Sequence, residues 1–241
     1  MTDFPFDIVG FDLDGTLFDT SPDLLAAVNH GLTLVGRPEI APERIRSLIG
    51  GGAKKMLERG LAESGGFDEA AMARAYPALL TYYEANIAVG TTPFPGLFDA
   101  LDDLAARGVQ IAIVTNKFER LAVKLIAELG LGHRFACIIG GDTMGPGNAK
   151  PSPLPIQEMI RRCRTLGGGG RAAFVGDSTF DTGAARNAGI PSVAVSFGFL
   201  DRPVAELGAD AVIDAYADLV PALIRLGDTP SATSSTGAAP A

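Results

Sequence analysis

The sequence contains only two cysteines, Cys137 and Cys163, which are too few for a disulfide framework. Because both lie in apolar or helical surroundings, we expect buried free thiols. The chain has no basic leader with an apolar core, and no stretch reaches the roughly 18 consecutive apolar residues that a membrane span requires. These absences predict a cytoplasmic protein that does not span a membrane.

Basic residues are in the minority, with 20 Lys and Arg against 28 Asp and Glu, for a net charge of −8 over 241 residues. Proteins that bind nucleic acid or anionic membranes usually present a basic surface, so we expect neither partner. A small anionic substrate remains compatible with this charge, because the local field of a site governs its binding. The hydrophobic fraction of 47% is normal for a globular protein with one domain, or with a domain and an insertion. No oligomeric state is predicted.

Short apolar segments alternate with segments of helical period through most of the chain. The segments that predict strands are residues 8–11, 109–115, 137–139, 172–175, 192–196 and 211–213. The segments that predict helices are residues 97–107, 120–129, 153–166, 182–188 and 217–226. Strands that are apolar on both faces and alternate with helices indicate an α/β fold with a doubly wound parallel sheet, Rossmann-like in its layering. Reactive groups in such folds collect where the strands end.

The alternation is interrupted once, between Pro22 and Val89, where helical segments follow one another without a strand. We interpret residues 20–92 as an inserted all-helical cap, with hinges near Thr20 and Thr92, because a structureless loop of this length is uncommon. The other predicted parts are a core domain of residues 1–19 and 93–227 and a disordered tail of residues 228–241, rich in Ser, Thr, Pro, Gly and Ala.

The segment Asp-Leu-Asp-Gly-Thr directly after the first predicted strand is the most informative motif. Alternate residues of an extended segment point the same way, so Asp12 and Asp14 can share one site, while Gly15 permits a sharp turn. Two carboxylates this close repel unless a cation or a proton lies between them, and one can act as nucleophile and the other as general acid and base. An Asp-Gly turn without chemistry is the alternative interpretation.

Three more polar motifs follow predicted strands. They are the pair Thr115 and Asn116, the lysine Lys150 before a helix, and the acidic pair Asp177 and Asp181. Alone, each has a plain structural explanation: a helix cap, a solvated lysine or an ordinary loop. Because all four motifs follow strands of one predicted sheet, a common crevice is the more economical interpretation.

In these motifs the chain resembles the haloacid dehalogenase superfamily, whose phosphatases carry DxDGT, a strand-end Thr or Ser, a Lys and GDxxxD in this order. The resemblance implies that Asp12 attacks phosphorus and becomes a transient aspartyl phosphate. It implies that Asp14 protonates the leaving group and then activates water. An aspartate at position 14 is typical of the family's phosphatases, whereas its dehalogenases lack it.

The same resemblance implies a Mg²⁺ cofactor held by the Asp12 carboxylate, the Asp14 backbone carbonyl and Asp177, with Asp181 as nearby support. Oxygen ligands of this kind suit Mg²⁺. Three further side chains are implied to bind the phosphoryl group: Thr115, Asn116 and Lys150. The expected partner is a small anionic phosphorylated metabolite.

The predicted cap contains Gly50, Gly51 and Gly52 directly before a helix that we expect to begin near Ala53. Free backbone N–H groups at a helix start favour an anion such as a carboxylate, so this loop and Lys54 are candidate substrate contacts. A plain interhelical loop with a solvated lysine is the alternative.

Further segments are similar to bacterial phosphoglycolate phosphatases. They are residues 19–24, the Ile-Gly-Gly-Gly loop, Phe-Pro-Gly at 94–96, Val-Thr-Asn-Lys at 114–117 and Lys-Pro-Ser-Pro at 150–153. The implied reaction converts 2-phosphoglycolate and water to glycolate and phosphate. Three alternatives remain open: a phosphatase for a sugar phosphate or another small metabolite, a phosphonate hydrolase with a Schiff-base lysine at Lys54 or Lys55, and a non-catalytic binding protein on this fold.

Overall fold

The computed structural model describes residues 4–167 and 169–228. The strands in these ranges are β1 (Ile8–Phe11), β2 (Phe18–Asp19), β3 (Thr92–Pro93), β4 (Gln110–Val114), β5 (Cys137–Ile139), β6 (Ala172–Gly176), β7 (Ser192–Val195) and β8 (Ala211–Ile213). The α-helices are α1 (Ser21–Leu34), α2 (Ile45–Leu48), α3 (Ala53–Glu63), α4 (Glu69–Ala85), α5 (Leu97–Ala106), α6 (Glu119–Glu128), α7 (Leu154–Thr165), α8 (Thr179–Ala188) and α9 (Leu219–Asp228).

Six of these strands form one parallel sheet in the order β5-β4-β1-β6-β7-β8. The central strand β1 is buried along its whole length and pairs on both sides, with Phe11 opposite Ile113 of β4 and Val175 of β6. Its apolar side chains alternate between the two faces, so each face needs a covering of helices. The predicted α/β fold with a doubly wound parallel sheet is confirmed.

Helices cover both faces of the sheet. On one face Ile8 of β1 packs with apolar residues of α7 and α8, and α7 buries Ile156, Met159 and Cys163 at helical spacing. On the other face Val9 and Phe11 belong to a core that includes residues of α5, α6 and α9.

Both cysteines are free, as predicted. However, only Cys163 is fully buried, because Cys137 lies on the edge strand β5, where one side of the backbone is uncovered.

The helices α1 to α4, which we call the cap helices, lie between β2 and β3 in the chain. They share a core that includes Leu24, Val28 and Leu79, and this region is helical as predicted. Sequence patterns missed the ribbon where the chain enters and leaves the cap helices: β2 and β3 pair antiparallel over two residues each, too few to produce a recognisable period. The domain boundaries at 19/20 and 92/93 stay a prediction.

A buried carboxylate connects the two places where the chain enters and leaves the cap helices. Asp23, in the first turn of α1, accepts the backbone N–H groups of Gly90 and Thr91 at 2.7 and 2.9 Å and the Thr91 hydroxyl at 2.7 Å. One side chain thereby satisfies three donors from a segment almost seventy residues away, so the ribbon and α1 are fixed together.

Two boundaries differ from the sequence predictions. Helix α8 begins at Thr179 rather than at 182, because the Asp181 carboxylate accepts the Ser178 N–H at 3.0 Å and caps the earlier start. Asp228 ends helix α9, so a disordered tail that begins at this residue is wrong. The rest of the predicted tail, 229–241, lies outside the described residues.

In the part of the chain that the structure describes, no helix is both long enough and apolar enough to cross a membrane. The cytoplasmic location stays a prediction.

Candidate active site

The register of the sheet brings the predicted strand-end motifs together. Asp12 follows β1, and its N–H donates to the Val175 carbonyl at 2.9 Å. Thr115 follows β4 and donates its N–H to the Ile139 carbonyl at 2.9 Å. Parallel strands in this register end at one edge of the sheet, so side chains from β1, β4 and β6 meet there.

Gly15 is the residue that lets the chain turn beneath this edge. Its φ is +81°, and a Cβ at this position would lie 2.0 Å from Asp177 Oδ2. Any other residue would combine backbone strain with a clash against a carboxylate. Position 15 therefore accommodates glycine and no other residue without strain.

Lys150 is the centre of a buried ion cluster on the core side of the site. Its ammonium lies 2.9 Å from Asp12 Oδ1 and donates to Asp181 Oδ1 at 2.6 Å and to the Val114 carbonyl at 2.7 Å. The lysine side chain is only 1% exposed. Burial opposes its charge, but the Asp12 and Asp181 carboxylates together raise the pKa of Lys150 above its usual value, so it stays a cation.

Asp12, Asp177 and Asp181 form a buried acidic cluster, with one oxygen of each within 4.8 Å of the others. Burial, reinforced by the charge of Asp181, raises the pKa of Asp12 to about 6 against the opposing pull of Lys150. Burial, reinforced by the charges of Asp181 and Asp12, raises the pKa of Asp177 well above its usual value. Asp12 Oδ1 is buried and has no well-directed hydrogen bond among the described residues, although Lys150 is close enough to pair with it.

An unsatisfied carboxylate oxygen beside a second carboxylate fits a hard divalent cation, which would relieve the repulsion that raises these pKa values. Asp177 keeps one oxygen for such an ion, because only Oδ2 accepts the Phe199 N–H, at 2.6 Å. Both oxygens of Asp181 are engaged, Oδ1 by Lys150 and Oδ2 by the Ser178 N–H and hydroxyl. Asp181 is thus arranged to hold Lys150 and the loop after β6.

Thr115 and Asn116 lie on the loop after β4. The Thr115 hydroxyl accepts the Lys117 N–H at 3.2 Å, and the side chain is almost completely buried. The amide nitrogen of Asn116 donates to the Lys150 carbonyl at 3.1 Å, so this side chain ties the β4 loop to the Lys150 loop. This contact uses one of the two N–H donors of the amide, and the predicted hydrogen bond from Asn116 to a phosphoryl oxygen stays a prediction.

Asp14 has a different lysine as its partner. Lys117 Nζ lies 3.0 Å from Asp14 Oδ1 and donates to the Tyr83 hydroxyl of α4 at 2.8 Å, while Thr20 donates its hydroxyl to the same Asp14 oxygen at 2.7 Å. Burial opposes the charge on Lys117, but Asp14 and Tyr83 raise its pKa. Burial raises the pKa of Tyr83 to about 12, so the phenol is neutral. This chain of contacts joins the loop after β1 to a cap helix.

A cavity of about 200 Å³ lies between the cap helices and the carboxyl edge of the sheet. Every predicted site residue except Asp181, which lies behind Lys150, lines it: Asp12, Asp14, Gly50, Gly51, Gly52, Lys54, Thr115, Asn116, Lys150 and Asp177. Aromatic and aliphatic side chains of the cap and core form much of the remaining wall, including Tyr76, Tyr83, Phe118, Phe180 and Phe199.

The glycine loop approaches the core closely. All three glycines have positive φ, and a Cβ at Gly52 would lie 3.2 Å from the Asn116 carbonyl. Arg59 of α3 donates to the carbonyls of residues 48, 49 and 50, which fixes the loop from behind. Helix α3 begins at Ala53, as predicted, and its first N–H groups end at the cavity. Lys54 is exposed, so its predicted substrate contact stays a prediction.

Known proteins match both the sequence and the fold of this chain. Residues 9–195 match the family model described as haloacid dehalogenase-like hydrolase. The chain belongs to this family. A phosphoglycolate phosphatase of Agrobacterium fabrum is 40% identical over 216 residues, covering 89% of this chain and 91% of its own. Its counterpart from Caulobacter vibrioides is 39% identical over 220 residues, covering 90% and 91%. A crystal structure of a predicted phosphoglycolate phosphatase from Haemophilus somnus superimposes with a TM-score of 0.79 at 28% identity, covering 90% and 97%.

In this haloacid dehalogenase-like hydrolase, sequence reasoning overlooked three residues of the site. Lys117 belongs to a segment that is similar to phosphoglycolate phosphatases but has no predicted role, Thr20 is predicted only as a hinge, and Tyr83 is not predicted as a site residue. A signal existed for Lys117, because it follows the end of β4 by three residues, as part of the same loop as Thr115. No local signal distinguished Tyr83, because its contact with Lys117 spans 34 residues.

Proposed function

We propose that this chain is a phosphatase that hydrolyses 2-phosphoglycolate to glycolate and phosphate. The observation that carries the proposal is the pair of carboxylates, Asp12 and Asp14, at one small cavity, each beside its own buried lysine. The names of the relatives support the choice of substrate. A cavity of about 200 Å³ favours a small ester over a bulky one.

In the first half of the reaction, Asp12 attacks phosphorus and the bond from phosphorus to the ester oxygen breaks. An aspartyl phosphate forms, and Asp14 donates a proton to the departing glycolate oxygen. The described contacts of Lys117 and Thr20 both reach Asp14 Oδ1, which leaves Oδ2 available for this transfer. Asp14, now ionised, is a base at the same position.

In the second half, Asp14 takes a proton from a water molecule that attacks phosphorus. The bond between phosphorus and the Asp12 oxygen breaks, which releases phosphate and regenerates the Asp12 carboxylate and the protonated Asp14. Because charge is spread over the phosphoryl oxygens, positioning and electrostatic stabilisation supply most of the acceleration. Lys150 and the Thr115 hydroxyl are placed to provide these interactions.

The proposed cofactor is Mg²⁺, held by the Asp12 carboxylate, the Asp14 backbone carbonyl and Asp177. When bound, it supplies positive charge beside the nucleophile and the phosphoryl group. Asp181 supports this site by holding Lys150. The acidic cluster needs such a charge, because three carboxylates beside one lysine would otherwise repel a phosphate ester.

The alternatives fit the site less well. A Schiff-base lysine must become neutral, which burial away from carboxylates promotes. Lys54 and Lys55 are both exposed, while the buried lysines Lys117 and Lys150 are each paired with carboxylates that favour the charged form. A sugar phosphatase would use the same core residues and would differ in the cap. A non-catalytic binding protein needs neither the nucleophile nor the acid, and this chain has both.

Phosphate release from purified protein with Mg²⁺ tests the proposal, with 2-phosphoglycolate measured beside sugar phosphates and phosphonates. We expect the highest kcat/KM for 2-phosphoglycolate. Asp12→Asn keeps the shape of the side chain but removes the nucleophile, so turnover should fall by about 10⁴-fold or more while circular dichroism is unchanged. Activity of this variant within a few-fold of the unsubstituted enzyme would contradict the mechanism, and a preferred sugar phosphate would contradict the substrate.

A further inference from the structure

Lys117 is a buried cation with no place in the reaction steps above. Its described contacts, to Asp14 and Tyr83, use two of the three N–H donors of an ammonium group. The side chain is only 5% exposed, and it lines the same cavity as Asp12 and Asp14. A buried charge is costly, so a lysine with an unused donor at a substrate cavity calls for an anionic partner.

The position of Lys117 relative to Asp14 limits what that partner can be. If Asp14 donates its proton to the ester oxygen, that oxygen lies within about 2.7 Å of the carboxylate. Lys117 Nζ lies 3.0 Å from Asp14 Oδ1, so it is on the side of the cavity where the leaving group would lie. In an ester of a 2-hydroxy acid, only two carbons separate the ester oxygen from the carboxylate oxygens, which lie about 3 Å from it. The acid group of such a substrate can therefore reach Lys117 when it extends toward Asp14 Oδ1.

The other cations of this cavity suit the acid group less well. Lys150 is already paired with Asp12 and Asp181 and donates to the Val114 carbonyl, and in the proposed mechanism its charge acts on the phosphoryl group. Lys54 is exposed, and its charge is screened by solvent. Among the cavity-lining lysines in the described ranges, Lys117 combines burial, a spare donor and proximity to the general acid.

Building on the proposed function, we propose that Lys117 binds the carboxylate of the leaving group and so makes the enzyme selective for phosphate esters of short 2-hydroxy acids. The Tyr83 hydroxyl holds the ammonium in place from the cap side. A neutral leaving group of the same size can offer Lys117 a hydroxyl oxygen but no negative charge, and the weaker interaction reduces binding in the transition state.

The test compares two esters of equal chain length, 2-phosphoglycolate and 2-hydroxyethyl phosphate, by kcat/KM with saturating Mg²⁺. We expect the unsubstituted enzyme to prefer the acid ester by about 100-fold, since a site built around a charged partner rejects the analogue that lacks it. Lys117→Met should reduce this preference to within about threefold, and Lys117→Arg should retain part of it. Lys124→Met, a substitution of the same type at an exposed lysine of α6, is the matched control and should preserve the preference.

The outcomes separate this inference from the proposed function. If the unsubstituted enzyme releases phosphate from 2-phosphoglycolate but prefers it less than tenfold over the neutral ester, the inference fails and the proposed function stands; this result needs no variant. An equal loss on both esters in Lys117→Met would also overturn it, because the lysine would then act only on Asp14. If 2-phosphoglycolate is not hydrolysed at all while another ester is, the proposed substrate fails first, and the inference falls with it.

Discussion

Two buried lysines pair with the two carboxylates of the loop after β1, and the two lysines have different surroundings. Lys150 contacts Asp12, Asp181 and a strand carbonyl, all of which belong to the core. Lys117 contacts Asp14 in the core and Tyr83 in a cap helix. Asp12, the proposed nucleophile, is therefore held by groups of the core alone, whereas Asp14, the proposed general acid, is held by groups of the core and of a cap helix.

This difference assigns separate tasks to the two halves of the site. The half around Lys150 is complete without the cap helices, so it can serve any phosphate ester. The half around Lys117 depends on where α4 places Tyr83, so it can respond to the rest of the substrate. Substitutions should therefore affect phosphate chemistry and substrate choice separately. The four predictions below are given in decreasing order of effect.

Lys150→Met should have the largest effect and should not discriminate between esters. We expect kcat/KM to fall by about 10³-fold for acid and neutral esters alike, because the lost charge faces the phosphoryl group. Unfolding in urea should show a loss of about 3–5 kcal/mol without Mg²⁺, since Asp12 and Asp181 lose their buried partner. A loss confined to 2-phosphoglycolate would contradict this division of roles, because Lys150 would then select the substrate, as proposed for Lys117.

The stability of the half around Lys150, which contains the acidic cluster, should depend on pH near 6. Between its usual value of 3.8 and about 6, folded Asp12 keeps a proton that the unfolded chain has released. The free energy of unfolding without metal should therefore fall as pH rises through this window, by up to about 3 kcal/mol. Mg²⁺ binds the ionised carboxylates, so it should raise Tm more at pH 7.5 than at pH 5.

Thermal unfolding with EDTA and with Mg²⁺ at both pH values measures this effect. Asp12→Asn is the control and should weaken the pH dependence of the Mg²⁺ shift. Lys117 and Tyr83 should add nothing in this range, because the pKa of Lys117 is raised above its usual value and that of Tyr83 is about 12. Equal Mg²⁺ shifts at pH 5 and pH 7.5 would contradict the assigned cluster.

Tyr83→Phe removes one hydroxyl and tests the half of the site around Lys117. We expect a loss of about 1 kcal/mol, the usual contribution of a hydrogen bond, which corresponds to about fivefold in kcat/KM for 2-phosphoglycolate. The loss for 2-hydroxyethyl phosphate should be smaller, because that ester does not use the held ammonium. Steady-state kinetics on both esters give the answer, and an equal decrease would show that Tyr83 supports only the fold.

Arg120→Ala should have the smallest effect. Arg120 of α6 pairs with Glu84 of α4, so this ion pair also joins core and cap, but both side chains are about half exposed. Exposed pairs contribute about 0.2–1 kcal/mol, so we expect a Tm within a few degrees and an unchanged ratio of kcat/KM between the two esters. A large change in that ratio would mean that any cap contact, and not Lys117 with Tyr83 in particular, sets the selectivity.

Sequence patterns predicted the sheet well because its signals are local. The six parallel strands fall on the six apolar segments, and Asp12, Thr115 and Asp177 follow strand ends as expected. Asp181 was predicted near the metal but is committed to Lys150 and Ser178 through both oxygens, which its spacing from Asp177 does not reveal. The early start of α8 was missed for the same reason, since a carboxylate cap depends on side-chain direction.

By itself, the sequence determined which groups could meet: apolar runs form strands, strands of one parallel sheet end at one edge, and residues just after those ends share a crevice. The tertiary structure alone decided which lysine serves which carboxylate. Lys150 reaches Asp12 from 138 positions away, and Tyr83 reaches Lys117 only through the packing of α4 over the sheet. Such pairings depend on the relative placement of whole elements, which the hydrophobic period along a chain does not encode.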